Sequence, residues 1–262
     1  AKTVTLIPTH VPETNAVMMK NRRIGISQSG IIDAFVKHGR RSMMQWNDNG
    51  YKYLRELDEL YSNWLCIPRS IRITTVKPSG TTALLPGVSA GIHYPHSEYY
   101  IRRIRIASNS PLVKPLKRAG YHSEYSVTGM NKEDMEKTLV FSFPVKENLF
   151  EKGKAEVSIW EQVKNAVDYQ RWWSDNAVSI TVTFNDKEAK DIPLVLEAYE
   201  DNLKGISFLP IKDHGYAQAP YETITKETYE EMVSKLGRPD YSSVINEVAV
   251  GDRFCNNDTC TL

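Results

Sequence analysis

Cysteine is scarce in this 262-residue sequence, with only Cys66, Cys255 and Cys260. Three thiols are too few for a secreted scaffold held by disulfides, and the odd count argues for a reducing compartment. No apolar run approaches membrane-spanning length, which excludes a membrane-spanning helix. Charge of one sign is lacking too. The 33 basic and 32 acidic residues leave a net charge of +1, which gives no polyanion-binding surface and no sign of a nucleic-acid partner. AKTVTLIPTH at the start has no signal-peptide layout, so a cytoplasmic location is expected. It has no initiator methionine, which points to a processed chain or a piece of a longer one. The six histidines lack HExxH-type spacing, so no metal site is expected. His93 and His96 flank Pro95 after a glycine and read as a loop. No Gly-x-Ser-x-Gly elbow, Walker loop or dinucleotide fingerprint occurs.

What is present has the composition of an ordinary globular protein, 41% hydrophobic, and is long enough for one large domain or two small ones. Helix signals begin after Gly30 and are interrupted at Gly39 and at Asn47-Asp48-Asn49-Gly50. Tyr51, Leu54, Leu57, Tyr61, Trp64 and Leu65 then recur every three or four places, which predicts one buried helical face ended by Pro68. Cys66 reads as a packed small hydrophobe. SEYYIRRIRIASNSP is a strand or a basic helix; its Arg102, Arg103 and Arg105 suit phosphate or a solvated face. The second half has a clear rhythm. Strands are predicted at Leu139–Phe143, Ala177–Phe184 and Ile206–Ile211. Between them lie a helix opened by a Ser158–Glu161 capping box and another capped by Asp191. Alternation of this kind implies βαβ units and a parallel sheet. Trp172 to Asn176, between helix and strand, either cap the helix or line a site. A last helix, about Lys226 to Leu236, precedes a polar tail.

The stretch TTVKPSGTTALLPGVSAGIHYP, Thr74 to Pro95, carries the chemistry. A strand containing Ile73 and Val76 is ended by Pro78, Gly80 permits a reversal, and Thr81 to Leu85 suit a short helix opening on hydroxyls. Amides and hydroxyls gathered at such a point suit a phosphate, though an ordinary strand-to-helix turn has the same pattern. At the other end, Cys255 and Cys260 are five apart on a polar terminal segment. They suit thiol-disulfide exchange, or are two unrelated surface cysteines.

Six ordered blocks settle what this resembles: NRRIGISQSG, the Thr74–Pro95 stretch, YYIRRIRI, WWSDNAVSITVTFN, LKGISFLP and GYAQAPYE. Together they resemble the C-terminal part of the adenosylcobalamin-dependent, class II ribonucleotide reductases, of the monomeric ribonucleoside-triphosphate type. The resemblance implies an α/β fold. Residues 1–240 would supply the second parallel half-barrel of a ten-stranded α/β barrel, and residues 241–262 a flexible redox tail. It implies that Pro78, Ser79, Gly80, Thr81 and Thr82 hold substrate phosphates. Cys255 and Cys260 would accept electrons from thioredoxin. Adenosylcobalamin would be the cofactor, a ribonucleoside triphosphate the substrate and a deoxynucleotide a possible effector. The radical cysteine of this family belongs to a segment upstream of residue 1. An N-terminal half or subunit is therefore expected as partner, and the chain alone is expected to be inactive. The alternatives are a class I large-subunit fragment or a non-catalytic nucleotide-binding relic.

Overall fold

The computed structural model describes residues 1–129, 131–211, 217–242 and 244. The helices are α1 (Pro12–Asn21), α2 (Ile31–His38), α3 (Arg40–Trp64), α4 (Val113–Arg118), α5 (Lys132–Glu136), α6 (Ile159–Trp172), α7 (Ile192–Tyr199) and α8 (Lys226–Ser234). The strands are β1 (Tyr99–Ala107), β2 (Ser123–Tyr125), β3 (Thr138–Lys146), β4 (Thr181–Phe184), β5 (Ser207–Pro210) and β6 (Tyr221–Thr223). The described residues group into two compact units, one within 1–98 and 147–214 and the other within 99–146 and 215–262.

Parallel pairing organises the first unit. Ile26 bridges Thr74 and Val76 bridges Val178, both in parallel. β4 and β5 pair in parallel from Thr181↔Ser207 to Phe184↔Pro210. Val76, Val178 and Val182 pack with Ile159, Val163 and Tyr169 of α6 in one buried cluster. Ser158 caps α6 by accepting the Glu161 amide at 3.2 Å, as its sequence predicts. The Glu161 carboxylate turns away, to Tyr94 and Lys152.

Four local expectations are corrected in this unit. α3 runs unbroken through Asn47–Gly50. Its weak residues are held by packing: buried Asn47 accepts from Gln28 Nε2 at 3.0 Å, and Gly50 faces the Trp173 ring. The buried face of α3 is also polar, formed by Asn47, Asp58 and Ser62, while Tyr61, Trp64 and Leu65 are exposed. Asp58 is satisfied there by Lys2 Nζ at 2.8 Å and the Ser70 amide at 2.8 Å. Finally, Cys66 is exposed, not packed. Ile67 N–H donates to Ser62 O and Cys66 N–H to Asn63 O, the two bonds of a Schellman ending. That ending requires a left-handed residue after the helix, and Cys66 fills the position at φ 52°. At the start of α7, Asp191 makes no side-chain capping bond.

The second unit is a four-stranded antiparallel sheet in the order β2-β3-β1-β6. Residues 99–107 are thus a strand, and Leu139–Phe143 do not join a parallel sheet as expected. A period of two is the same in either strand direction, so the sequence pattern carries no direction. In the register Ile104↔Phe141 and Ile106↔Leu139, Ile106, Leu139 and Phe141 pack with Val113 and Leu116 of α4. Arg102 donates to Tyr221 Oη at 2.6 Å, and Arg103 pairs with Glu222 and donates to Ala219 O. Those two cations are engaged within the sheet. Among the described residues, no helix is long and apolar enough to cross a membrane.

Candidate phosphate-binding loop

The site grows out of the segment 73–76, in which Ile73, Thr74, Thr75 and Val76 are all buried. A strand buried on both faces emerges at one point, and here Pro78 ends it. Lys77 N–H donates to Ser27 Oγ at 2.9 Å, which ties the exit to the loop before α2. Ser79 Oγ accepts the Gly91 amide at 2.9 Å and lies in hydrogen-bond contact with Ser29 Oγ. Ser79 O receives the Ala83 amide at 2.9 Å, closing the turn that leads into a 3₁₀ helix at Thr82–Leu84.

These contacts divide the expected site residues into two groups. Ser79 is committed to holding the loop. Thr81 and Thr82 are exposed, and among the described residues neither their hydroxyls nor their amides make a hydrogen bond. Gly80 does not have the left-handed backbone that a sharp reversal suggested, and a Cβ there would meet nothing within 4 Å. Gly91 makes the demanding turn instead. Its φ is +58°, and a Cβ would stand 2.5 Å from Lys77 O. Gly30, at φ +71°, would drive a Cβ to 2.9 Å from Val88. Ser27, Ser29 and Gly91 were not singled out in the sequence, and Gly30 only as the start of helix signals. Serines and glycines gathered on two segments flanking the loop were the available signal.

The N-terminus of α2 is closed by the chain itself. Gly30 N–H donates to Ser89 O and Ile31 N–H to Gly91 O, while the buried Asp33 carboxylate accepts the Ser89 amide at 2.9 Å. The open donors of this corner are therefore those of Thr81 and Thr82, not those of that helix end. His93 clips the far end of the loop, with Nδ1 3.2 Å from Ala90 O and Nε2 accepting the Thr181 amide at 3.1 Å. Burial holds its pKa below the usual histidine range.

In Trp172 to Asn176 the Asp175 and Asn176 side chains are spent on neighbouring segments. Asp175 Oδ1 accepts from Tyr51 at 2.8 Å, and Oδ2 accepts the Ile73 amide at 2.9 Å and pairs with Arg55 at 3.3 Å. Asp175 O accepts from Arg72 and Lys204. Asn176 Nδ2 donates to Ile24 O and Thr74 O, so this junction buckles neighbouring strands together. A cavity of about 170 Å³ beside Arg40, Tyr94, Lys152 and Glu161 is likewise braced by its own pairs. Cys255 and Cys260 lie outside the described residues. Among those described, no group of three or more His, Cys, Asp or Glu side chains could hold a metal ion.

No protein-family model matches the chain. Individual proteins do. An adenosylcobalamin-dependent ribonucleoside-triphosphate reductase of Euglena gracilis is 42% identical over 267 residues, covering 99% of this chain and 36% of that protein. The enzyme of the same name from Lactobacillus leichmannii is 36% identical, covering 90% of this chain and 35% of that protein. A crystal structure of a B-12 dependent (class II) ribonucleotide reductase superposes with a TM-score of 0.82 at 33% identity, over 94% of this chain and 38% of the other. The chain belongs with the C-terminal part of these reductases. It spans about a third of the length of the curated relatives it matches, so it corresponds to a portion of a reductase. The α/β class expected from sequence agrees with the matched fold.

Proposed function

We propose that this chain is the C-terminal portion of a ribonucleotide reductase that converts ribonucleoside triphosphates to deoxyribonucleotides. The observation that carries this is the open pair Thr81 and Thr82 at the end of a buried strand, in a chain related throughout its length to such enzymes. In this reading Pro78 to Thr82 cradle the substrate phosphates. Thr81 and Thr82 donate from amide and hydroxyl, Gly80 leaves room for close approach, and Ser79 keeps the loop in shape. Ligands of open α/β sheets lie at the C-terminal ends of strands, where this loop is.

The chemistry replaces the ribose 2′-hydroxyl by hydrogen. Two thiols are oxidised to a disulfide for each turnover, and the hydroxyl leaves as water. The radical cysteine belongs to an N-terminal portion, the obligatory partner. Residues 1–240 take part in the barrel, with the parallel strands of the first unit as its second half. Residues 241–262 form the tail, in which Cys255 and Cys260 carry electrons from thioredoxin by thiol-disulfide exchange. A deoxynucleotide effector and a cytoplasmic location complete the reading.

The relatives' names give adenosylcobalamin as the cofactor, and when bound it supplies the radical. The cavities of about 460 and 500 Å³ in the first unit have no histidine in their lining, and neither is assigned as its seat.

The test is reconstitution. The purified chain, given adenosylcobalamin, triphosphate and reductant, should form no deoxynucleotide, and addition of an N-terminal reductase portion should restore it. With thioredoxin, replacing Cys255 and Cys260 by serine should stop multiple turnover, while a small dithiol should sustain some. Deoxynucleotide formation by the chain alone would overturn the need for a partner.

A further inference from the structure

α3 has three faces where a surface helix ordinarily has two. Asn47, Leu54, Asp58 and Ser62 turn inward, and Gln45, Lys52, Glu56 and Asn63 form a polar side. Trp46, Tyr53, Leu60 and Trp64, spaced seven, seven and four residues apart, recur at the helical period on a third side. All four are exposed, Tyr53 by 60% and Trp64 by 68%. Exposed apolar residues are ordinary singly, but an aligned stripe rich in aromatics marks an interaction surface.

The stripe continues into an apolar cavity of about 460 Å³. Leu57, Tyr61, Trp64 and Leu65 line one side of it, and Ile24 and Ile26 another. Ala1 is also part of its lining. In the relatives about two-thirds of the polypeptide lies outside the matched C-terminal region. Polypeptide joined to Ala1 would therefore start at this cavity.

We propose that the Trp46–Tyr53–Leu60–Trp64 stripe of α3, with the adjoining cavity, seats the polypeptide that precedes Ala1 in a full-length reductase. This rests on the reading that the chain works with an N-terminal portion. The location of Ala1 and the length of chain outside the matched region favour that occupant over a second copy. Aromatic anchors packed against apolar side chains carry the contact, and the polar side of α3 stays in water.

The experiment uses the purified chain and, as probe, the upstream portion of the Euglena gracilis relative expressed separately. Affinity is measured by sedimentation for the parent, for a Tyr53→Gln/Leu60→Gln/Trp64→Gln variant, and for Lys52→Gln/Glu56→Gln on the polar side. Glutamine keeps helix propensity, so thermal midpoints should match. The stripe variant should bind about 100-fold more weakly, and the polar-side variant within about twofold of the parent. In a Cys255→Ser/Cys260→Ser background, alkylation of exposed Cys66 should slow when the upstream portion is added. Equal, tight binding by parent and stripe variant would overturn the assignment while leaving the two-part reading standing. Absence of binding by the parent would overturn both. A dimer of the chain that the stripe variant abolishes, with upstream affinity unchanged, would give the surface to a second copy.

Discussion

The two ends of the segment 73–76 carry polar clusters that use their groups in opposite ways. At its N-terminal end, Asp175 and Asn176 spend their side chains on neighbouring chain segments: Tyr51, Arg55, the Ile73 amide, Ile24 O and Thr74 O. At its C-terminal end, Ser79 is spent in the same way, but Thr81 and Thr82 remain open to solvent. Both clusters had suggested a site in the sequence. Polar content does not separate a brace from a binding site, whereas the count of unspent donors does.

That comparison breaks if substitutions at the two ends have the same consequences. The largest effect on stability is expected at the brace. Asp175→Ala removes the carboxylate from Arg55, which keeps Tyr51 Oη and Ser70 O, and strips an acceptor from Tyr51 and from the Ile73 amide. Allowing for the partial exposure of Arg55, about 2–4 kcal/mol of unfolding free energy should be lost. Urea unfolding measures the loss, and nucleotide affinity per folded molecule should stay near that of the parent.

Next comes Gly91→Ala, which puts a side chain on a left-handed backbone and a Cβ against Lys77 O. A cost of about 2–3 kcal/mol is expected, and the displaced strand end should weaken nucleotide binding as well. Gly80→Ala is its control. It meets open space on an ordinary backbone, so stability should move by no more than about 0.5 kcal/mol. Any affinity lost by Gly80→Ala then reports how closely the phosphate approaches.

Thr81→Val and Thr82→Val invert the pattern of Asp175. Both residues are exposed, so unfolding should hardly change. Each lost hydroxyl should weaken nucleotide binding in the assembled enzyme about 5- to 100-fold, from roughly 1–3 kcal/mol per charged hydrogen bond. Calorimetric titration with the triphosphate checks it. Parental affinity in both variants would make the loop an ordinary turn.

Much of this was legible in the sequence, for physical reasons that differ by residue. Ser158 and the strand exit at Pro78 obey local rules, so they could be read. The continuity of α3 through Gly50 could not, because it depends on Trp173, far along the chain. The exposure of Trp64 was hidden as well. A periodic apolar face looks the same whether it meets this chain's core or another polypeptide. Within the loop, residue types marked the place, but the choice of Gly91 over Gly80 as the strained glycine depends on where Lys77 O passes.

The smallest effect sharpens the comparison through pH. His93 accepts the Thr181 amide on Nε2, a bond that only the neutral ring can make, with Nδ1 turned to Ala90 O. Burial lowers its pKa in the folded chain, partly offset by the bond to Ala90. The unfolded chain then binds the proton more readily, so stability is intact above the ordinary histidine pKa, about 6.5, and falls as pH drops below it. The loss levels off once pH passes the folded value. His93→Asn removes that titration, so the difference in unfolding free energy between pH 7.5 and pH 5.5 should be smaller than in the parent. Asp175→Asn is the matching control at the other end of the segment, since it leaves the His93 clip in place. An unchanged pH dependence in His93→Asn would show that the clip does not hold the loop's far end.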